Sequence, residues 1–276
     1  MYSGVSTTGL VPSSGSAEMT SGCIVITGAS SGLGAGLARA YAGPGRVLGL
    51  AGRNAVRLAE VAATCRGLGA VVHEAVLDVA DAGAVLAWLE RLEAVTPIGM
   101  AIANAGVSGG TGADGTFEGL ANAATVVRTN LLGVMNVVEP LVPMMLARGR
   151  GQIAVVASVA SYRGLADSPA YCASKAGVRL YGESLRAALE PHGIAVSVIV
   201  PGFFVSPMSR RYVGAQPFVV SLEQAVARVR RGLERRRRRI VFPRRLGLLL
   251  QAADLLPAWL GDRIMRAARF FIAPED

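Results

Sequence analysis

From Cys23 onward, short wholly apolar runs alternate with longer segments whose apolar residues recur every third or fourth position. CIVITG, starting at Cys23, is β-branched and ends on glycine, and LGAGLARAYAG then spaces small apolar residues at helical intervals. RVLGLAG and NAVRLAEVAATCRGLG repeat that pair, and VVHEAVLDV reads as a third strand. The pattern next predicts a helix from about Asp81 to Val95, a strand in GMAIANAG, and a long helix between about Ala124 and Ala147. A strand in GQIAVVAS, a helix from Pro169 to Glu190 and a strand in IAVSVIV follow; after an arginine-rich helix, RRIVFP reads as one last strand. Strands that are apolar on both faces and separated by helices form right-handed βαβ units. The expected fold is therefore α/β: a doubly wound Rossmann-type parallel sheet of about seven strands, helices on both faces, and a helical C-terminal tail.

Three segments follow from this reading: a flexible leader over 1–21, rich in Ser, Thr and Gly, a Rossmann-type catalytic domain over 22–243, and an apolar, basic helical tail over 244–276. The tail is expected to pack on the same domain or on a partner subunit. Its apolar run is broken by Gln251, Asp254, Pro257 and Asp262 before it reaches the roughly 20 residues needed to span a bilayer.

Composition narrows the class. Hydrophobic residues make up 52% of the 276 and charged residues 17%, which excludes a largely disordered chain. A net charge of +9 raises nucleic acid, anionic lipid or a phosphorylated ligand as partners. The excess is concentrated between Arg228 and Arg239 and at Arg244 and Arg245, not interleaved with aromatics along the chain, so no nucleic-acid partner is expected. Peripheral membrane contact through this basic and apolar C-terminal region stays open. Cys23, Cys65 and Cys172 are odd in number and widely spaced, which fits neither a disulfide framework nor a metal site. With a leader that lacks a basic start and an apolar stretch, the expected location is cytoplasmic, with a peripheral place at the inner membrane surface as its variant.

The chemistry begins at TGASSGLG, Thr27 to Gly34, between a predicted strand and a predicted helix. In that context Gly28, Gly32 and Gly34 let the backbone turn and approach a pyrophosphate, and the following helix N-terminus stabilises its charge. Ser30 and Ser31 can add hydroxyl donors, and Leu33 lies in the same turn. The second strand ends LAGRN: Gly52 stands where an acid would bind a ribose 2′-hydroxyl, and Arg53 follows, able to pair with a 2′-phosphate. NADP(H) is therefore expected over NAD(H).

The spacing T-G-x-x-x-G-x-G resembles that of the short-chain dehydrogenase/reductase (SDR) family. The resemblance recurs in order at Asn104, Ala105 and Gly106 (NAG), at Asn130 in TNLLGV, at Ser158 after the fifth strand, at Tyr171 and Lys175 (Y-x-x-x-K), and at Pro201 and Gly202. It covers Cys23 to about Met208. It implies that Asp78 and Val79 contact the adenine, that Lys175 holds the nicotinamide ribose, that Asn130 holds a water linking Lys175 to solvent, and that Ser206 contacts the carboxamide. It also implies a homodimer or homotetramer paired through the helices of Asn130 and Tyr171.

Hydride transfer to a carbonyl builds negative charge on oxygen, so a proton donor and a second hydrogen-bond donor are needed there. Tyr171 is the expected acid/base and Ser158 the second donor. Lys175, four residues after Tyr171 on one helix face, is expected to lower the phenol's pKa. The function expected is an NADP(H)-dependent oxidoreductase acting on a carbonyl or secondary alcohol, with a hydrophobic or acyl-chain ketone among its substrates. Its alternative is a catalytically idle NADP-binding sensor or scaffold of the same fold. Phe203, Phe204, Met208, Tyr212, Pro217 and Phe218 are candidates for an apolar pocket wall or lid. His73 and His192 fall outside these motifs and read as structural.

Overall fold

The computed structural model describes residues 22–112, 115–214, 216–267 and 270–272. The leader expected over 1–21 lies outside the described residues. In chain order the elements are β1 (Cys23–Thr27), α1 (Gly32–Tyr41), β2 (Val47–Gly52), α2 (Ala55–Gly67), β3 (Val71–Val76), α3 (Ala82–Val95), β4 (Ile98–Ala103), α4 (Gly119–Val127) and α5 (Gly133–Arg148). They continue with β5 (Gly151–Val156), α6 (Pro169–Leu189), β6 (Ile194–Pro201), β7 (Tyr212–Gly214), α7 (Leu222–Glu234), β8 (Arg239–Phe242), α8 (Arg244–Asp254), α9 (Ala258–Ala267) and β9 (Phe270–Ile272).

Seven strands form one sheet in the order β3-β2-β1-β4-β5-β6-β8, and every neighbouring pair in it is parallel. The order reverses direction between β1 and β4, which opens a crevice at the carboxyl edge where open α/β sheets bind ligands. Because side chains alternate across a strand, Cys23 and Val25 enter the core on one face while Ile24 and Ile26 enter the core on the other. That is why the strands read as unbroken apolar runs.

One long helix differs from its expected form. The run from Gly119 to Arg148 is interrupted by a π-helical turn over Arg128–Leu132 that carries Asn130. By length and composition this run could cross a membrane, yet Val126, Val134, Val137, Leu141 and Met145 are buried in the protein core. The tail packs on its own domain: Leu246, Leu250, Ala253 and Met265 join the core on the α6 side of the sheet. Two short strands have no counterpart in the sequence reading. β7 and β9 pair antiparallel as a separate ribbon, so the end of the chain returns to the segment that follows Pro201 and Gly202.

Candidate active site

The glycine turn is shaped by steric need. Gly28 and Gly32 have φ of +65° and +52°, the left-handed region that side chains disfavour. A Cβ on Gly34 would lie 2.2 Å from the Gly28 carbonyl oxygen, so α1 can approach the turn only through glycine. Thr27, buried at the end of β1, organises the crevice floor: its Oγ1 accepts the Asn104 and Ala105 amides at 3.1 and 3.2 Å. The Asn104 side chain donates back to the Thr27 carbonyl at 2.9 Å. The sequence motif includes Thr27 without giving it a role; its signal is a polar residue ending an otherwise apolar strand.

This cradle opens into a long cleft lined by Gly28, Ser30, Ser31, Gly32 and Leu33 at one side, Asp78 and Val79 at another, and Asn104, Ala105, Gly106 and Ser206 toward its inner end. At its outer end Arg53 stands just before α2, with its guanidinium 3.8 Å from Asp78 and both side chains about half exposed. Arg57 lines the same wall and was not singled out in the sequence. Asn54 caps α2 by accepting the Arg57 amide at 2.9 Å, which fixes the helix start between the two arginines.

A second cavity, of about 130 Å³, adjoins the cleft and shares Leu33, Asn104, Gly106, Phe204 and Ser206 with it. Ser158, Tyr171, Lys175, Pro201 and Gly202 all line this cavity, so the structure brings the expected catalytic side chains together. Ser158 opens a 3-10 turn after β5, its hydroxyl accepting the Ala160 amide at 3.2 Å, while Tyr171 sits in the first turn of α6. The Lys175 ammonium donates to the Val156 carbonyl at 2.9 Å and lies 5.8 Å from the Tyr171 ring centroid.

One expectation is corrected by this geometry. Burial dominates the Tyr171 phenol and pushes it up to about 12, with a Ser158 hydrogen bond pulling the other way, so the net shift is upward and not the lowering expected from the spacing of Lys175. Burial likewise brings the Lys175 ammonium down to about 8. Asn130 sits beside this pair in the π-helical turn. Its fully buried amide is engaged by protein: Nδ2 donates to the Val107 carbonyl at 3.0 Å and to Ser174 Oγ at 3.1 Å, and Oδ1 accepts the Val107 amide at 2.8 Å. The side chain therefore pins the segment after Gly106.

The remaining candidates divide by position. Phe203, Phe204, Met208 and Tyr212 line the cavity, whereas Pro217 and Phe218 do not. Tyr212 packs edge-to-face on Phe203 with centroids 6.2 Å apart, and burial beside Tyr171 holds its phenol far above the usual range. Ser206 and Ser209 cap each other, with the Ser206 hydroxyl accepting the Ser209 amide at 3.0 Å, and this clasp holds Ser206 over Gly32. The Cys172 thiol accepts the Leu165 amide at 3.3 Å and is pushed up to about 11 by burial, so it packs as a small apolar side chain. His73 lies within β3 and His192 in the turn before β6.

Known proteins resemble this chain over most of its length. Residues 22–216 match the family model described as short chain dehydrogenase. An uncharacterized oxidoreductase of Myxococcus xanthus (strain DK1622) is 34% identical over 255 residues, 92% of this chain and 100% of that protein. A short-chain dehydrogenase from Sphingobium yanoikuyae in complex with NADPH superposes with a TM-score of 0.70 at 26% identity, over 89% of this chain and 92% of that one. A short chain dehydrogenase/reductase from Burkholderia phymatum in complex with NAD gives 0.74 at 23% identity, over 85% and 93%, a likeness of fold. With the motifs in order, the cradle and the Ser158, Tyr171 and Lys175 cluster on one sheet edge, and a family match over most of its length, this chain belongs to the short-chain dehydrogenase/reductase family of oxidoreductases.

Proposed function

We propose that this protein is an NADP(H)-dependent oxidoreductase that interconverts a carbonyl and a secondary alcohol on an apolar substrate, with Tyr171 as general acid/base. The observation that carries the reading is the shared wall of the two cavities, which places the Tyr171 cavity against the glycine cradle.

The cradle fits a dinucleotide. Side chains at Gly28 or Gly34 would fill it, and the N-terminus of α1 points its amides at the space left open. When bound, NADPH supplies the hydride. Tyr171, protonated at neutral pH, donates its phenolic proton to the carbonyl oxygen as charge develops there, and Ser158 donates a second hydrogen bond to the same oxygen. Lys175 is held by Val156 within reach of the Tyr171 ring, where it binds ribose hydroxyls and returns the phenol's proton. Asn130 and Thr27 act through the backbone, holding the segments that line the inner cleft.

Arg53 and Arg57 favour the 2′-phosphate. The Arg53 pair with Asp78 is exposed and worth at most about 1 kcal/mol, so it gives way readily to a phosphate that two guanidinium groups can share. The substrate cavity is walled by Val159, Leu165, Phe203, Phe204 and Met208, with Lys175 as its one cationic side chain among the described residues, which suits an uncharged apolar ketone. Pairing of two copies through the helical run that carries Asn130 and through α6 belongs to the same proposal, supported by the exposed Leu132 and Leu180.

The test is a fluorescence titration with NADPH and NADH of the native protein and of Arg53→Asp. The native protein is expected to bind NADPH at least about tenfold more tightly than NADH, and the substitution to reverse that order. Equal binding of both nucleotides by the native protein would defeat the cofactor assignment.

A further inference from the structure

Helix α8 is apolar on two sides. Leu246, Gly247, Leu250 and Ala253 face the domain and are buried. At about 100° per residue, Leu248, Leu249, Ala252 and Leu255 form a separate stripe on the opposite side. Leu248, Leu249 and Leu255 are 65%, 59% and 88% exposed, and Trp259, in the first turn of α9, adds an aromatic side chain 70% exposed. An apolar stripe of this kind on a folded surface marks a contact that the isolated chain does not make.

Charge identifies the contact. Arg244 and Arg245 are exposed in the first turn of α8; Arg245 falls in the middle of the stripe and Arg244 at its edge. Neither has an ion pair among the described residues, and the stripe carries no carboxylate. Asp254, the acid of α8, lies on the far side of the helix within 3.7 Å of Arg163, and Asp262 of α9 pairs with the same arginine at 2.6 Å. A second copy docking stripe to stripe would bury Arg245 against leucine with no opposing charge, a marked penalty for an uncompensated ion. Lipid phosphates offer that charge beside an apolar phase. Leucines and a tryptophan sinking toward acyl chains, with arginines at headgroup level, are the features of a helix that lies in a membrane interface. The net charge of +9 draws the whole molecule to such a surface.

We infer that α8 and the start of α9 form a peripheral docking surface for an anionic lipid bilayer, with Leu248, Leu249, Leu255 and Trp259 entering the interface and Arg244 and Arg245 pairing with lipid phosphates. This surface is remote in sequence from Tyr171 and its use does not depend on turnover.

Flotation of the full-length protein with phosphatidylcholine vesicles, with and without phosphatidylglycerol, tests the inference alongside tryptophan emission. Trp88 is buried, so an emission change on vesicle addition reports Trp259. The expected result is co-flotation and a blue shift with anionic vesicles only, weakened by salt. Replacing both arginines (Arg244→Ala with Arg245→Ala) should weaken partition by roughly 25-fold, about fivefold for each. Leu248→Asp with Leu249→Asp should abolish flotation while leaving NADPH binding intact, which shows that the variant is folded. Native protein that stays with the soluble fraction, or that floats equally with neutral vesicles, overturns the inference. So does concentration-dependent self-association of the native protein that the leucine variant removes without any vesicle binding, since the stripe would then be an interface between copies.

Discussion

Burial, not charge pairing, sets the resting protonation of the two ionisable groups at the centre of the site. Lys175 has an ordinary value of 10.5 and is lowered to about 8. Between those two values the unfolded chain holds a proton that the folded protein has released, so folding stability rises with pH across that window and the penalty is fully present below it. Tyr171 and Cys23, both pushed up by burial, act in the opposite sense, losing stability as pH rises past their unfolded values. Subtracting the urea unfolding free energy of Lys175→Met from that of the native protein cancels these shared contributions. The difference should rise by about 3 kcal/mol from pH 8 to pH 10.5, since each pH unit crossed in that window contributes about 1.4 kcal/mol, and a flat difference would refute the burial argument. The identities and spacing of Tyr171 and Lys175 could be read in the sequence, but the direction in which burial moves them could not. Spacing on a helix shows which groups are neighbours, whereas desolvation depends on every element packed around them.

At the scale of elements, the glycine turn and the π-helical turn make different demands. Gly34→Ala would drive a methyl group into the Gly28 carbonyl, which must shift both β1 and α1. Overpacking of this kind costs about 1–3 kcal/mol, and here it closes the cradle, so NADPH affinity should fall by more than the loss of thermal stability implies. Unchanged affinity in a binding titration would show that the turn is not the phosphate site. Asn130→Ala leaves the Val107 amide without its acceptor, an expected loss of about 1–3 kcal/mol in denaturant unfolding. Glycine positions were legible because only a few turns require them. The π turn at Arg128–Leu132 was not, since a widened turn inside a long helix that is apolar on several sides has no residue signature of its own. The three-residue strands β7 and β9 were equally hidden, being too short to carry an alternation of their own.

For the whole molecule, the C-terminal tail is tied to segments that neighbour the Tyr171 cavity. Arg163, only 14% exposed, holds Asp254 of α8 and Asp262 of α9, and β9 pairs with β7, whose first residue is the cavity-lining Tyr212. Arg163→Ala should lower the melting temperature by several degrees, as roughly 1–3 kcal/mol would in a domain of this size, and raise KM for an apolar ketone while NADPH affinity holds. A KM left unchanged would mean that the tail does not shape the substrate cavity. The sequence announced a helical tail and left open what it packs on. Its partner, Arg163, lies 99 positions before Asp262, and no local pattern reports a contact at that range.

The central claim, that Tyr171 is the acid in an NADP-linked carbonyl reduction, is tested most directly by NADPH oxidation with a panel of apolar ketones, comparing the native protein with Tyr171→Phe. The expected result is turnover by the native protein and a loss of about 10²–10⁴-fold in kcat for the variant, with NADPH binding unchanged. Native-like turnover by Tyr171→Phe would contradict the assignment of the proton donor. NADPH binding without turnover of any ketone by the native protein would favour a cofactor-binding sensor on the same fold.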